Sequence, residues 1–160
     1  INTDGLDLRP ALDAKYAVTQ KHWVLAETAV DTLEAINKMG LPIGIISNAA
    51  DDADVHSILE KSGIMPMFDL VQSSAGCGYR KPNPEIFRIA EEKWGHPLNK
   101  TVMVGNNLRA DIGGGNKVGM YTIWTKEFDP VGKIEDLHIE PNAVIESLAE
   151  LPALLKNLSI

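Results

Sequence analysis

Ser47 with Asn48, Lys81, and Asn106 with Asp111 are the residues of this chain whose types could act together on one ligand. Ser47-Asn48 follows the apolar run Ile43-Gly44-Ile45-Ile46. A hydroxyl and a carboxamide therefore stand where a strand would meet a loop, and both can donate hydrogen bonds to an anion. Lys81 lies between Ser73 to Gly78, read as a Ser/Gly-rich loop, and Pro82, whose ring favours an extended backbone at the residue before it. A lysine held in that way can meet a phosphate as a point charge. Asn106 and Asp111 flank a turn after Thr101-Val102-Met103-Val104, and an amide oxygen with a carboxylate can converge on a hard cation such as Mg²⁺. Taken together, a hydroxyl-amide pair, a cation and a carboxylate suit the task of holding an anion beside a metal.

Each position also has a plain structural explanation. Ser47-Asn48 ahead of Ala49-Ala50-Asp51 suits a turn and helix cap. Lysines are ordinarily solvated surface residues, and Asp111 can cap the helix it opens. Cys77 reads as a partly exposed loop thiol with no neighbouring His to activate it. His22, His56, His96 and His138 lack metal-ligand spacing, and Gly113-Gly114-Gly115 matches neither a dinucleotide nor a Walker fingerprint. Trp23, Trp94 and Trp124 read as packing residues.

Convergence of these residues requires strands that deliver them to one edge. Strands are expected at Ile43–Ile46, Phe68–Val71, Thr101–Val104, Tyr121–Trp124 and Val144–Ile145, each a short apolar run. Helices are expected between them: a weak period from Leu6 to about Gln20, then Val30 to Gly40, Asp51 to Gly63, Pro84 to Gly95, Ala110 to Gly119, and Ser147 to Leu158. Residues 126 to 141 read as irregular surface with turns at Asp129-Pro130 and Glu140-Pro141. Strands and helices alternate, and the strands are apolar throughout, so the expectation is a parallel sheet buried on both faces under helices.

Length and composition set outer bounds. The chain has 160 residues, 44% hydrophobic and 23% charged, which suits one domain over residues 1–160. Its net charge of −7 argues against nucleic-acid binding, which needs a basic face. No apolar run is long enough to span a membrane. The single Cys77 cannot form an internal disulfide, which fits a reducing cytoplasm.

The order and context of these stretches resemble the haloacid dehalogenase-like hydrolase superfamily, most of whose members are Mg²⁺-dependent phosphatases. Ser47-Asn48 matches its Ser/Thr-Asn at a strand end, and Gly78-Tyr79-Arg80-Lys81-Pro82-Asn83-Pro84 matches its Gly-x-x-Lys-Pro-x-Pro. Gly105-Asn106 through Asp111-Ile112-Gly113-Gly114 to Gly119-Met120 matches its metal-side segment, and the likeness runs from about Leu33 to Leu155. The resemblance implies a three-layer, Rossmann-like α/β fold. It implies Ser47, Asn48 and Lys81 as phosphate-binding residues, with Lys81 and Ser47 taking part in catalysis. Asp111 and Asn106 are implied at the metal, Mg²⁺ as cofactor, and a phosphorylated small molecule or phosphoprotein as substrate.

Two departures shape what is expected of the chemistry. The superfamily forms an aspartyl-phosphate on an Asp nucleophile, with a second Asp as acid/base, both in Asp-x-Asp-Gly-Thr-Leu at the end of a first strand. Ile1-Asn2-Thr3-Asp4-Gly5-Leu6-Asp7-Leu8-Arg9 resembles the segment that follows this motif, so the nucleophile is expected to lie outside these residues. A rival alignment sets Asn2 and Asp4 in the two Asp positions, but Leu6 then stands where Thr belongs. Asn106 stands where an acid is usual, which also occurs among metal-independent dehalogenases of the superfamily. The interval Arg9 to Glu27 is too short for a full helical cap, so residues 1–26 are expected to be a remnant of a linker or small cap region. The alternatives to a phosphatase are a metal-independent dehalogenase and a catalytically inactive phosphate-binding or interaction scaffold.

Overall fold

Local signals in the sequence already set where most helices stop. Gly95 closes one of them with φ +77°, a left-handed conformation that glycine adopts without strain, and its N–H reaches the Glu91 carbonyl at 2.8 Å. The computed structural model of the chain describes residues 7–128, 131–136 and 138–158. The Ile1–Leu6 segment, on which the two alignments of the amino-terminal stretch turn, and the Asp129-Pro130 turn lie outside the described residues.

In chain order the elements are α1 (Arg9–Thr19), α2 (Ala29–Lys38), β1 (Gly44–Ser47), α3 (Asp52–Lys61), β2 (Leu70–Ser73) and α4 (Ser74–Cys77). They continue with α5 (Pro84–Trp94), β3 (Val102–Gly105), α6 (Gly113–Lys117), β4 (Tyr121–Thr125), β5 (Ala143–Ile145) and α7 (Leu151–Lys156). The strands are parallel: β1 runs beside β2 with Ser47 opposite Ser73, and β4 lies between β3 and β5 with Gly105 opposite Trp124. Among the described residues they form two ladders, because β1 and β3 do not pair with one another.

Helices cover both faces. Ile86 and Phe87 of α5 pack with Met103 of β3 and reach Ile46 of β1, so one helix bridges the two ladders. On the opposite face Ile36 of α2 and Leu151 of α7 pack with Ile123 and Ile145, joined by Val102 and Val104. Alternate side chains of β3 thus enter opposite cores, which is why that strand is apolar at every position. Phe87 and Ile86 are fully buried, and each such burial contributes roughly 1.5–3 kcal/mol.

Three details differ from the sequence expectation. The Ser73 to Gly78 stretch is the short helix α4 rather than a loop, because Ser73 Oγ accepts the Gly76 N–H at 3.0 Å and Gly78 stops it at φ +81°. The helix expected over 110–119 is split into a π-helical turn, Leu108–Ile112, and α6. Strand β1 is half-buried along its whole length rather than buried, as its one pairing partner among the described residues is β2. Amino-terminal to the strands, α1 is tied to the start of α3 by Arg9 and Asp51 at 2.8 Å, and buries Tyr16 with its hydroxyl unpartnered.

A Cβ at Gly114 would lie 2.8 Å from Phe87 Cζ and 3.3 Å from the Pro82 backbone. Gly114→Ala should therefore lower stability by about 1–3 kcal/mol through overpacking, read as a lower urea midpoint at unchanged slope. Burial, with the negative charges of Asp51 and Asp54, holds the Tyr16 phenol above its ordinary value of 10.0. A raised value means a stability contribution that is complete below the unfolded value and lost as pH climbs through the folded one. Tyr16→Phe should be as stable as the parent at pH 7, or more so, and should lose less stability than the parent between pH 9 and about 11.

Candidate active site

Backbone order brings the candidate residues to the carboxyl ends of the strands. Ser47 ends β1 half-buried, and Asn48 follows it. The Asn48 carboxamide is engaged at both ends with the Lys81 backbone: its Nδ2 donates to Lys81 O at 3.0 Å, and its Oδ1 accepts the Lys81 N–H at 2.8 Å. This reciprocal pair fixes where the lysine leaves the loop; the Lys81–Pro82 peptide bond is cis. From there the ammonium donates to the Ile46 carbonyl at 2.5 Å and pairs with Asp111 Oδ1 at 2.6 Å. Lys81 thus joins the end of β1 to the residues beyond β3. An ammonium has three donors, so two are engaged and one remains for a ligand.

Asp111 is positioned with equal care. Asn107 caps the π-helical turn by accepting the Ala110 N–H at 2.7 Å, and its own N–H donates to Asp111 Oδ2 at 3.0 Å. A Cβ at Gly105 would fall 2.3 Å from Asp111 Oδ2, so glycine at the end of β3 is what lets the carboxylate fold back over the strand. Both side chains of the Lys81–Asp111 pair are 8% exposed. The backbone oxygen of Asn106 accepts the Trp124 indole N–H at 3.0 Å, while Asn106 itself is exposed. Ser47, Asn48, Lys81 and Asp111 therefore share one rim, and Asn106 stands at its edge. Beside Lys81 opens a hollow of about 270 Å³ lined also by Asn107, Arg109, Lys133 and Asp136.

Several supporting residues escaped the reading of the sequence. Ser73 Oγ donates to Asp52 Oδ1 at 2.6 Å, and Ser74 Oγ both donates to the Ala49 carbonyl at 2.8 Å and accepts the Ala49 N–H at 3.1 Å. These bonds pin the loop after β1 to α4, and the only hint of them was the pair of adjacent serines. Asn107, Arg109 and Lys133 have no assigned role in the sequence reading, since a cap and two surface cations carry no signature.

The fit of Mg²⁺ depends on the oxygens this rim offers. Such an ion takes near-octahedral oxygen ligands and uses one or two carboxylates with waters and substrate phosphate. Asp111 has one oxygen against Lys81 and the other on the Asn107 N–H. Among the described residues no group of three or more His, Cys, Asp or Glu gathers to hold a metal. As arranged, the position beside Asp111 is filled by an ammonium, and these residues alone do not build a resident divalent site.

Parallel strands between helical layers, with a cation and a carboxylate meeting at their carboxyl ends, define a Rossmann-like α/β protein with its site at the sheet's loop edge. A family model described as haloacid dehalogenase-like hydrolase matches residues 4–119, and the chain belongs to that family. It is 37% identical to pyrimidine 5'-nucleotidase YjjG of Escherichia coli over 131 residues, 79% of this chain and 55% of that protein. It is 30% identical to ribulose-1,5-bisphosphate 5-phosphatase of Halopiger xanaduensis over 138 residues, 86% of this chain and 56% of that protein. The chain spans about half the length of the curated relatives it matches. Among solved structures, the HAD-hydrolase YfnB from Bacillus subtilis bound to magnesium superposes with a TM-score of 0.78 at 26% identity, covering 96% of this chain and 66% of that one.

Removing one member of a buried ion pair strands the other charge, at a cost of about 3–5 kcal/mol, whereas removing both is often close to neutral. Lys81→Met and Asp111→Asn should each lower stability strongly, and the double variant should recover most of the loss. Urea denaturation of the three variants checks the cycle; losses that simply add would mean that the pair does not act as a unit.

Proposed function

We propose that this chain carries the phosphate-binding part of a haloacid dehalogenase-like phosphatase acting on small phosphorylated molecules. The observation that supports it most is the Lys81 ammonium, held by Ile46 O and Asp111 at the carboxyl ends of β1 and β3 with one donor left over. In this reading Lys81 and Ser47 bind the phosphoryl oxygens and stabilise the charge that develops on them, a positioning and electrostatic task. Asn48 serves them by fixing the Lys81 backbone. Attack on phosphorus belongs to an aspartate nucleophile, giving an aspartyl-phosphate that water then hydrolyses. The carboxylate against Lys81 among the described residues is Asp111, whose oxygens are both engaged, so it is not given that role.

The names of two relatives, a nucleotidase and a bisphosphate phosphatase, favour phosphate esters as the substrate class. Mg²⁺, which the family resemblance implies at Asp111 and Asn106, is given no resident place in this proposal, because both Asp111 oxygens are already engaged. No described helix is long and apolar enough to cross a membrane, and the lone Cys77 supports a cytoplasmic setting. A second reading, the metal-independent dehalogenase, is favoured by Asn106 in place of an acid and by the ammonium already seated on Asp111. It calls for an affinity for 2-haloacids that exceeds the affinity for phosphate and ignores Mg²⁺.

Calorimetric titration of the 160-residue chain with inorganic phosphate, with and without Mg²⁺, tests the proposal. Saturable binding is expected. A hydrogen bond to a charged group is worth about 1.5–3 kcal/mol, so Lys81→Ala should weaken binding by about ten- to a hundredfold. Ser47→Ala should weaken it by about two- to tenfold, as a neutral hydroxyl contributes roughly 0.5–1.5 kcal/mol. Circular dichroism establishes that both variants are folded. Absence of binding by the parent chain, or equal binding by a folded Lys81→Ala, would overturn the proposal.

A further inference from the structure

The hollow that Lys81 lines is bordered by two further cations, Arg109 and Lys133. Both are exposed. None of the ion pairs among the described residues involves either of them. Asp136 is the acidic member of the lining and is buried at 8% exposure, so it offsets one of these charges. With Lys81 balanced by Asp111, the wall keeps one excess positive charge in a chain whose net charge is −7.

Both cations are carried on backbone that is held in place. Arg109 sits in the π-helical turn, where the Asp111 N–H donates to the Asn107 carbonyl at 2.8 Å and the Ala110 N–H to Asn107 Oδ1 at 2.7 Å. Lys133 precedes a 3₁₀ turn, Ile134–Asp136, closed by the Asp136 N–H on the Lys133 carbonyl at 2.9 Å. That segment is packed onto the π-helical turn: a Cβ at Gly132 would come within 2.9 Å of Leu108 Cδ1, and Ile139 joins the cluster of Leu108, Ile112 and Trp124. The wall that carries Lys133 is therefore referenced to the turn that carries Arg109 and Asp111.

We infer that this hollow receives a second anionic group of the substrate through Arg109 and Lys133. The substrate class is then a phosphate ester bearing a carboxylate or a second phosphate a few bonds from the first. The guanidinium fork matches either oxyanion in a bidentate way, and the Lys133 ammonium adds a point charge. The hollow, at about 270 Å³, suits a compact metabolite rather than a large head group. This inference rests on the phosphate-cradle reading of Lys81 and deepens it.

Calorimetric titration of the 160-residue chain at constant ionic strength without added metal tests it with three non-hydrolysable probes: ethylphosphonate, phosphonoacetate and methylenediphosphonate. At least one two-headed probe should bind roughly tenfold more tightly than ethylphosphonate, the range of an added charge-assisted contact. Arg109→Gln and Lys133→Gln should each shrink that ratio, and together bring it near one, with ethylphosphonate binding unchanged. Lys100→Gln, which removes a charge from the turn before β3 at the opposite ends of the strands, should leave the ratio intact. The two-headed probe that keeps the larger advantage tells carboxylate from phosphate. Equal binding of all three probes overturns the inference, as does a ratio that survives the double variant or falls equally in Lys100→Gln; ethylphosphonate binding would still leave the Lys81 cradle standing. If no probe binds, both the inference and the cradle fall.

Discussion

An ammonium group removed from water must be met by oxygens in good geometry, and the Lys81 side chain is 8% exposed. Desolvating a charge costs several kcal/mol even after relaxation. In this chain the compensation comes from two places far apart in sequence: the Ile46 carbonyl at the end of β1 and the Asp111 carboxylate beyond β3. Everything at the rim follows from that requirement. Asn48 sets the backbone from which the lysine departs, Asn107 orients the carboxylate, and Gly105 leaves the space in which the carboxylate lies. The ion pair links two ladders that do not pair with each other among the described residues, and α5 bridges the same two ladders through Phe87, Ile86 and Ile46. The polar and apolar ties act across one seam.

Much of this was legible in the sequence, because strong local signals agreed with the tertiary outcome. Apolar runs gave the five strands of the described residues to within a residue or two, and Gly40, Gly63 and Gly95 marked helix ends that carry positive φ. The membership of Ser47, Lys81 and Asp111 in one rim was foreshadowed by their motifs, and the rim is where the chain brings them together. What escaped was decided by side chains acting on backbone. Ser73 turns a Ser/Gly stretch into a capped helical turn. Asn107 and the run Gly113-Gly114-Gly115 replace one expected helix by a π-helical turn and a short α-helix. Those glycines are poor helix formers, yet Gly114 and Gly115 are required by the Phe87 ring and by Thr122 and Met103 pressing on them. Nor could spacing reveal that the Asn48 amide would be occupied by the Lys81 backbone, since this depends on how two loops meet.

Charge shows the same division between sequence and structure. The count of acidic over basic residues describes a chain that should repel anions at long range. Folding reverses this locally: Lys81, Arg109 and Lys133 come from three separate segments and border one hollow. Several other cations are neutralised on the surface, Arg9 by Asp13 and Asp51, Lys38 by Glu34 and Lys126 by Glu146. Bulk acidity therefore excludes a broad basic face without excluding a cationic pocket, and the two statements concern different lengths relative to a screening distance of about 8 Å at physiological salt.

The identity of residue 106 bears on which cation occupies the rim. A second carboxylate at this position would add a negative charge to a rim whose one ammonium is already paired with Asp111, a surplus that a divalent ion balances well. With asparagine the count is one ammonium to one carboxylate, and Lys81 satisfies Asp111 without further help. The exposed amide adds an oxygen but no charge, while its backbone is occupied by Trp124. The electrostatic demand for a metal at this rim is therefore lower with asparagine at position 106 than a second carboxylate would make it.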